Sequence, residues 1–131
     1  MRITGIDHVQ LAMPPGEEDA ARGFYAGILG MDEVAKPGPL AGRGGCWFET
    51  AGAVVHLGSD AGFAAATKAH PALLVEDIDA TRTALRLAGA AVEDDDTLPG
   101  RRRLYTRDPF GNRLELIQDG DGLSQRRHSA G

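Results

Sequence analysis

The sequence predicts an α+β protein built from two copies of one β-α-β-β-β module. Three observations carry that prediction. One order of elements, strand–helix–three strands, occurs twice along the 131 residues. A potential metal ligand stands on the first and on the last strand of each copy. In each of those four strands the apolar residues keep one parity and the candidate ligand takes the other.

The first copy opens on Ile3 to Met13, read as a strand. Val9, Leu11 and Met13 share one face; His8 and Gln10 share the other. Pro14-Pro15-Gly16 ends it. Glu17 to Leu29 reads as a helix, acidic in its first turn, with Ala20, Ala21, Phe24, Tyr25 and Ile28 as its apolar stripe. Gly30 fits a C-cap. Met31 to Ala35 is a short strand, and the Gly- and Pro-rich Lys36 to Gly45 a loop. Cys46 to Thr50 and Ala53 to Gly58 form a hairpin about Ala51-Gly52. Residues 1–58 make the first module and 59–69 a linker with room for one helical turn.

The second module, residues 70–118, repeats the order. His70 to Val75 is a strand, and Ile78 to Ala88 a helix capped by Asp77 and closed by Gly89. Ala90 to Glu93 is a short strand, followed by a loop from Asp94 to Gly100. Arg102 to Arg107 and Asn112 to Gln118 form a hairpin whose turn, Asp108-Pro109-Phe110-Gly111-Asn112, has the proline and glycine such a turn needs. Residues 119–131 carry little apolar content and are expected to be a disordered tail.

Charge and composition narrow the function. Against 14 Lys and Arg stand 19 Asp and Glu, a formal net charge of −5. That argues against nucleic acid as the partner, despite the local run Arg101-Arg102-Arg103. Cys46 is the single cysteine, so no intrachain disulfide forms. No apolar run approaches a membrane span, and the N-terminus lacks the apolar stretch of a signal peptide. The expectation is a soluble, cytoplasmic protein.

His8, His56, His70 and Glu115 share the face opposite the helices. Imidazole nitrogen and carboxylate oxygen suit zinc, nickel, iron(II), cobalt or manganese. Taken singly, each has a plainer reading: a strand histidine is ordinarily a hydrogen-bonded cleft residue, and an outward glutamate is ordinarily solvated. Their common parity and repeat-related positions favour one shared metal. Trp47 reads as core packing or as a wall for an aromatic ligand. Gln10, Arg103 and Tyr105 are placed to line the same pocket, while Cys46 reads as a small buried hydrophobe.

Asp7-His8-Val9-Gln10-Leu11, Phe24 through Gly30, His70 through Asp79, and Tyr105 through Leu116 resemble the vicinal oxygen chelate superfamily of glyoxalases, bleomycin and fosfomycin resistance proteins, epimerases and extradiol dioxygenases. The resemblance runs from about Ile3 to Gln118. It implies two paired modules forming a half-closed eight-stranded barrel around a divalent metal, with His8, His70 and Glu115 as ligands. His56 falls where glyoxalase I has glutamate and the epimerases glutamine, so it is a fourth ligand, a base, or neither. The implied function is a metal-dependent lyase, isomerase or epimerase working through a metal-stabilised enediolate on a small oxygenated substrate, with His56 or Glu115 as the candidate catalytic base. A non-haem iron(II) dioxygenase and a non-catalytic small-molecule binder or antibiotic resistance protein are the alternatives. Members of this family commonly form homodimers, with modules paired within a chain or exchanged between chains.

Overall fold

The computed structural model describes residues 1–121. The chain divides into two compact units, meeting between Ala65 and Ala66. Each holds one four-stranded mixed sheet.

In the first unit the strands are β1 (Val9–Met13), β2 (Asp32–Val34), β3 (Cys46–Thr50) and β4 (Ala53–Ser59). Their order is β1-β4-β3-β2, with β1 parallel to β4 and the other pairs antiparallel. β1 is shorter than the expected Ile3–Met13. Val9 lies opposite Val55, so the register runs out at Asp7 opposite Ala53, where β4 begins. Among the described residues, no strand pairs with the segment before Asp7, and Ile3 and Ile6 are exposed. The predicted helix is present but widens. α1 (Glu18–Ala21) passes into a π-helical stretch, Arg22–Ile28, which contains the permissive Gly23 and Gly27. It still buries Phe24 and Tyr25, and the Tyr25 ring stacks on Phe48 with centroids 5.5 Å apart. The loop predicted after β2 contains a 3-10 helix, Gly38–Arg43.

One face of this sheet is therefore core: Met13, Cys46, Phe48, Val55 and Leu57 are buried. Gly45 shapes the entry to β3. Its φ is +83°, and a Cβ there would stand 2.0 Å from the Leu57 carbonyl oxygen. Only glycine fits that approach.

The second unit repeats the plan with β5 (Ala72–Val75), α2 (Ile78–Leu87), β6 (Glu93–Asp95), β7 (Arg103–Arg107) and β8 (Arg113–Gln118). The order β5-β8-β7-β6 matches that of the first sheet. Asp77 caps α2 as expected, its carboxylate accepting from the Ala80 amide at 3.0 Å. Ile78, Leu85, Leu104, Leu114 and Leu116 are fully buried. β6 begins at Glu93, where the sequence suggested it would end.

The Asp108–Asn112 turn is a fully bonded knot. Asp108 accepts from the amides of Phe110 and Asn112 and from the Asn112 side chain, which in turn accepts from the Ala66 amide. Of the expected tail, Asp119 and Asp121 are anchored: the Asp119 amide bonds to the Val75 carbonyl, and Asp121 pairs with Arg102. The remainder, with His128, lies outside the described residues.

Candidate functional site

Pleating decides which side chains share the face away from the helices. In the first sheet, Gln10 lies opposite His56, and His56 opposite Trp47. Three adjacent strands thus present these side chains in one row. The indole of Trp47 lies flat on the His56 ring, centroids 3.8 Å apart and planes 1° apart. The His8 ring covers the other side of His56 at 4.3 Å. Both faces of the His56 imidazole are therefore occupied, and only its edge is left for chemistry. His8 precedes β1, and its Nδ1 is 2.8 Å from Asp7 Oδ2. Gln10 is exposed and lies across Gly58, where an added Cβ would come within 2.6 Å of its Nε2.

His56 is 8 % exposed. Burial, helped by the neighbouring His8, pushes its pKa below the ordinary 6.5. It is consequently an uncharged imidazole at neutral pH, able to accept a proton.

The second sheet gathers its own group. Ala72 lies opposite Glu115, and Glu115 opposite Tyr105, on one face. His70, just before β5, reaches Glu115: its Nε2 is 3.0 Å from Glu115 Oε1. Its Nδ1 is 2.9 Å from the Lys68 carbonyl oxygen. A carbonyl only accepts, so Nδ1 carries the ring proton of the neutral imidazole. Nε2 then presents a lone pair to a carboxylate oxygen, which is also an acceptor. Two acceptors at that distance call for a cation, either a further proton or a metal ion. Two ligand atoms each about 2.1 Å from one ion and at right angles across it stand about 3.0 Å apart. The donor set and its spacing fit a divalent metal.

The other Glu115 oxygen is held by Arg103. Arg103 Nη1 donates to Glu115 Oε2 at 2.9 Å, and Nη2 donates to Asp95 Oδ2 and Thr97 Oγ1 at 3.1 and 3.0 Å. Burial raises the Glu115 pKa, but Arg103 and His70 more than offset it, leaving the carboxyl below its ordinary value. Arg103, predicted to line a substrate pocket, is thus bound to Glu115, to Asp95 at the end of β6 and to Thr97 in the loop after it. Tyr105 meets His70 edge-on at 5.4 Å. The Arg113 guanidinium lies 4.1 Å above the Tyr105 ring.

The predicted residues therefore form two groups: His8, His56, Trp47 and Gln10 in the first unit, and His70, Glu115, Arg103 and Tyr105 in the second. Among the described residues, no three His, Cys, Asp or Glu side chains form a ready cluster for a metal. Sequence reasoning passed over Asp95, Thr97 and Arg113. Arg113 was the most accessible of these, since it shares the Glu115 parity two positions earlier on the same strand.

The repeated module and its polar rows define a class of protein, and comparison with known families agrees. Residues 5–116 match the family model of the Glyoxalase/Bleomycin resistance protein/Dioxygenase superfamily. The chain belongs to that superfamily. A glyoxalase family protein from Bacillus anthracis is 45% identical, with a TM-score of 0.85 over 90% of this chain and 97% of the other. A single-site mutant of FosX, a fosfomycin resistance protein from Listeria monocytogenes, shares the fold at 20% identity and a TM-score of 0.76, over 95% and 98% of the two chains; that structure holds Mn(II) and dihydroxypropylphosphonic acid. TnmS3, an antibiotic binding protein from Streptomyces sp., matches at 24% identity and a TM-score of 0.63, over 89% and 98%. No curated protein matches. Among the described residues, no helix is long and apolar enough to cross a membrane.

Proposed function

We propose that the protein is a metal-dependent enzyme of glyoxalase-like lyase, isomerase or epimerase type, acting on a small substrate with two neighbouring oxygens. His8, His70 and Glu115 hold the divalent ion, and His56 is the base. The observation that carries this reading is the 3.0 Å approach of His70 Nε2 to Glu115 Oε1, two acceptors placed as a cation requires.

Bound there, the ion supplies Lewis-acid polarisation of neighbouring substrate oxygens. The residues supply the rest. Arg103 keeps Glu115 ionised and fixes its orientation through Oε2. His56, uncharged and clamped between His8 and Trp47, takes the substrate proton through a ring nitrogen at its edge. Homodimerisation and a cytoplasmic location belong to the same proposal.

The test is elemental analysis of protein purified without a chelating column, paired with deuterium exchange at the α-carbon of simple hydroxyketones. His8→Ala, His70→Ala and Glu115→Ala are expected to lose metal and exchange together. His56→Ala is expected to keep metal and lose exchange. Full metal occupancy in all three ligand variants would sink the assignment. Iron in the site, with oxygen uptake on catechols, would move the chemistry to a dioxygenase.

A second reading, a small-molecule binder, has support in the Trp47–His56–His8 stack, which offers a flat aromatic edge to a planar ligand. Tight drug binding by metal-free protein, without turnover, would favour it.

A further inference from the structure

Arg107 and Arg113 stand directly opposite one another across β7 and β8, on the face that carries Glu115. Like charges in that position repel unless an anion lies between them. Among the described residues, neither guanidinium has a carboxylate within 4.0 Å; Arg107 donates only to the Gly111 carbonyl, and Arg113 rests on the Tyr105 ring. Both line a recess of about 40 Å³ together with Ala91, Glu93, Tyr105 and Thr106. The recess has room for one small charged group.

We infer that Arg107 and Arg113, with Tyr105 as floor, bind an oxyanion, and that the substrate of the proposed enzyme is a small acid bearing a carboxylate or phosphate. The step from anion site to substrate class rests on the metal-chelate reading; the anion site itself does not. Arg113 precedes Glu115 by two residues, about 7 Å along the strand. A molecule gripped at Arg113 would reach Glu115 with its oxygens only a few bonds from its charged end. The fork of Arg113 suits a planar carboxylate or a phosphate face, and the ring beneath it limits the directions it can turn. Glu93 is the one acidic residue in the lining, and its charge opposes an anion there.

The experiment is titration of chelator-treated, dialysed protein with inorganic phosphate and, separately, with acetate, followed by the NMR shifts of the arginine Nε–Hε groups. Saturable shifts at Arg107 and Arg113 are expected, with the stronger anion revealing which group the site prefers. Arg113→Gln should weaken binding roughly tenfold or more, the scale of losing a charged hydrogen-bond partner. Arg113→Lys should retain part of it, and Glu93→Gln should tighten it. Wild-type affinity in both Arg113→Gln and Arg107→Gln, or no saturable shift in the wild type, overturns the site. Phosphate bound at Arg113 in a protein that never retains metal would uphold the anion site and remove the substrate assignment.

Discussion

At the scale of single residues, the contact between His56 and Trp47 offers its own reporter. Trp47 is the only tryptophan, so its emission is unambiguous. A charged imidazole quenches an indole in contact with it. His56 titrates below 6.5 because burial and His8 disfavour its charged form. Trp47 fluorescence should therefore stay level down to about that pH and fall below it, and His56→Gln should abolish the step. A step that survives His56→Gln would contradict the assignment. Glu115 makes a second prediction. Its native pKa lies below the ordinary 4.5, so the unfolded chain binds the proton more readily. The stabilisation is whole above pH 4.5 and is lost as pH falls through the lowered native value. Urea denaturation should show the stability gap between wild type and Glu115→Gln narrowing below pH 4.5. A gap that stays constant with pH would show that the carboxylate's charge is not what matters.

At the scale of elements, the entry to β3 depends on one backbone position. Gly45→Ala forces a side chain into a positive φ and against the Leu57 carbonyl, at a cost of about 3 kcal/mol. Gly52→Ala, in the β3–β4 turn with nothing within 4 Å of its Cβ, is the control. Urea midpoints should fall for the first and hold for the second. Equal midpoints would mean that β3 can shift to accommodate the methyl. The same elements show what the sequence revealed. Alternation in β1, β4, β5 and β8 was plain because one face of each strand is apolar, and a residue's side follows from parity alone. Asp77 was legible as a cap for the same local reason. The late start of β1 was not, because it depends on where β4 starts, some forty residues on. Nor was the commitment of Arg103 to Glu115 and Asp95, which depends on how β6, β7 and β8 stand side by side. Parity put Arg103 on the right face, but it cannot say whether a charge there meets substrate or a neighbouring carboxylate.

At the scale of the molecule, each unit carries its own four-stranded sheet and buried core, and the proposed ligands are divided between them, His8 in the first and His70 and Glu115 in the second. Such a module can pair with its counterpart in the same chain or in a second copy, and the two arrangements predict different behaviour of mixed variants. His8→Ala disables the first module and Glu115→Ala the second. If modules exchange between two copies, a mixed dimer of these variants contains one site with both defects and one with neither. Random reassociation makes half of the dimers mixed, so metal content should recover to about a quarter of the wild-type level. For homodimers built by exchange, that recovery is the expected result after co-refolding the two variants and counting metal by elemental analysis. Pairing within one chain leaves every site with one defect, and the mixture then holds no more metal than its parts. Recovery would also show that the two arrays of ligands act on one ion, since neither variant alone supplies a whole set.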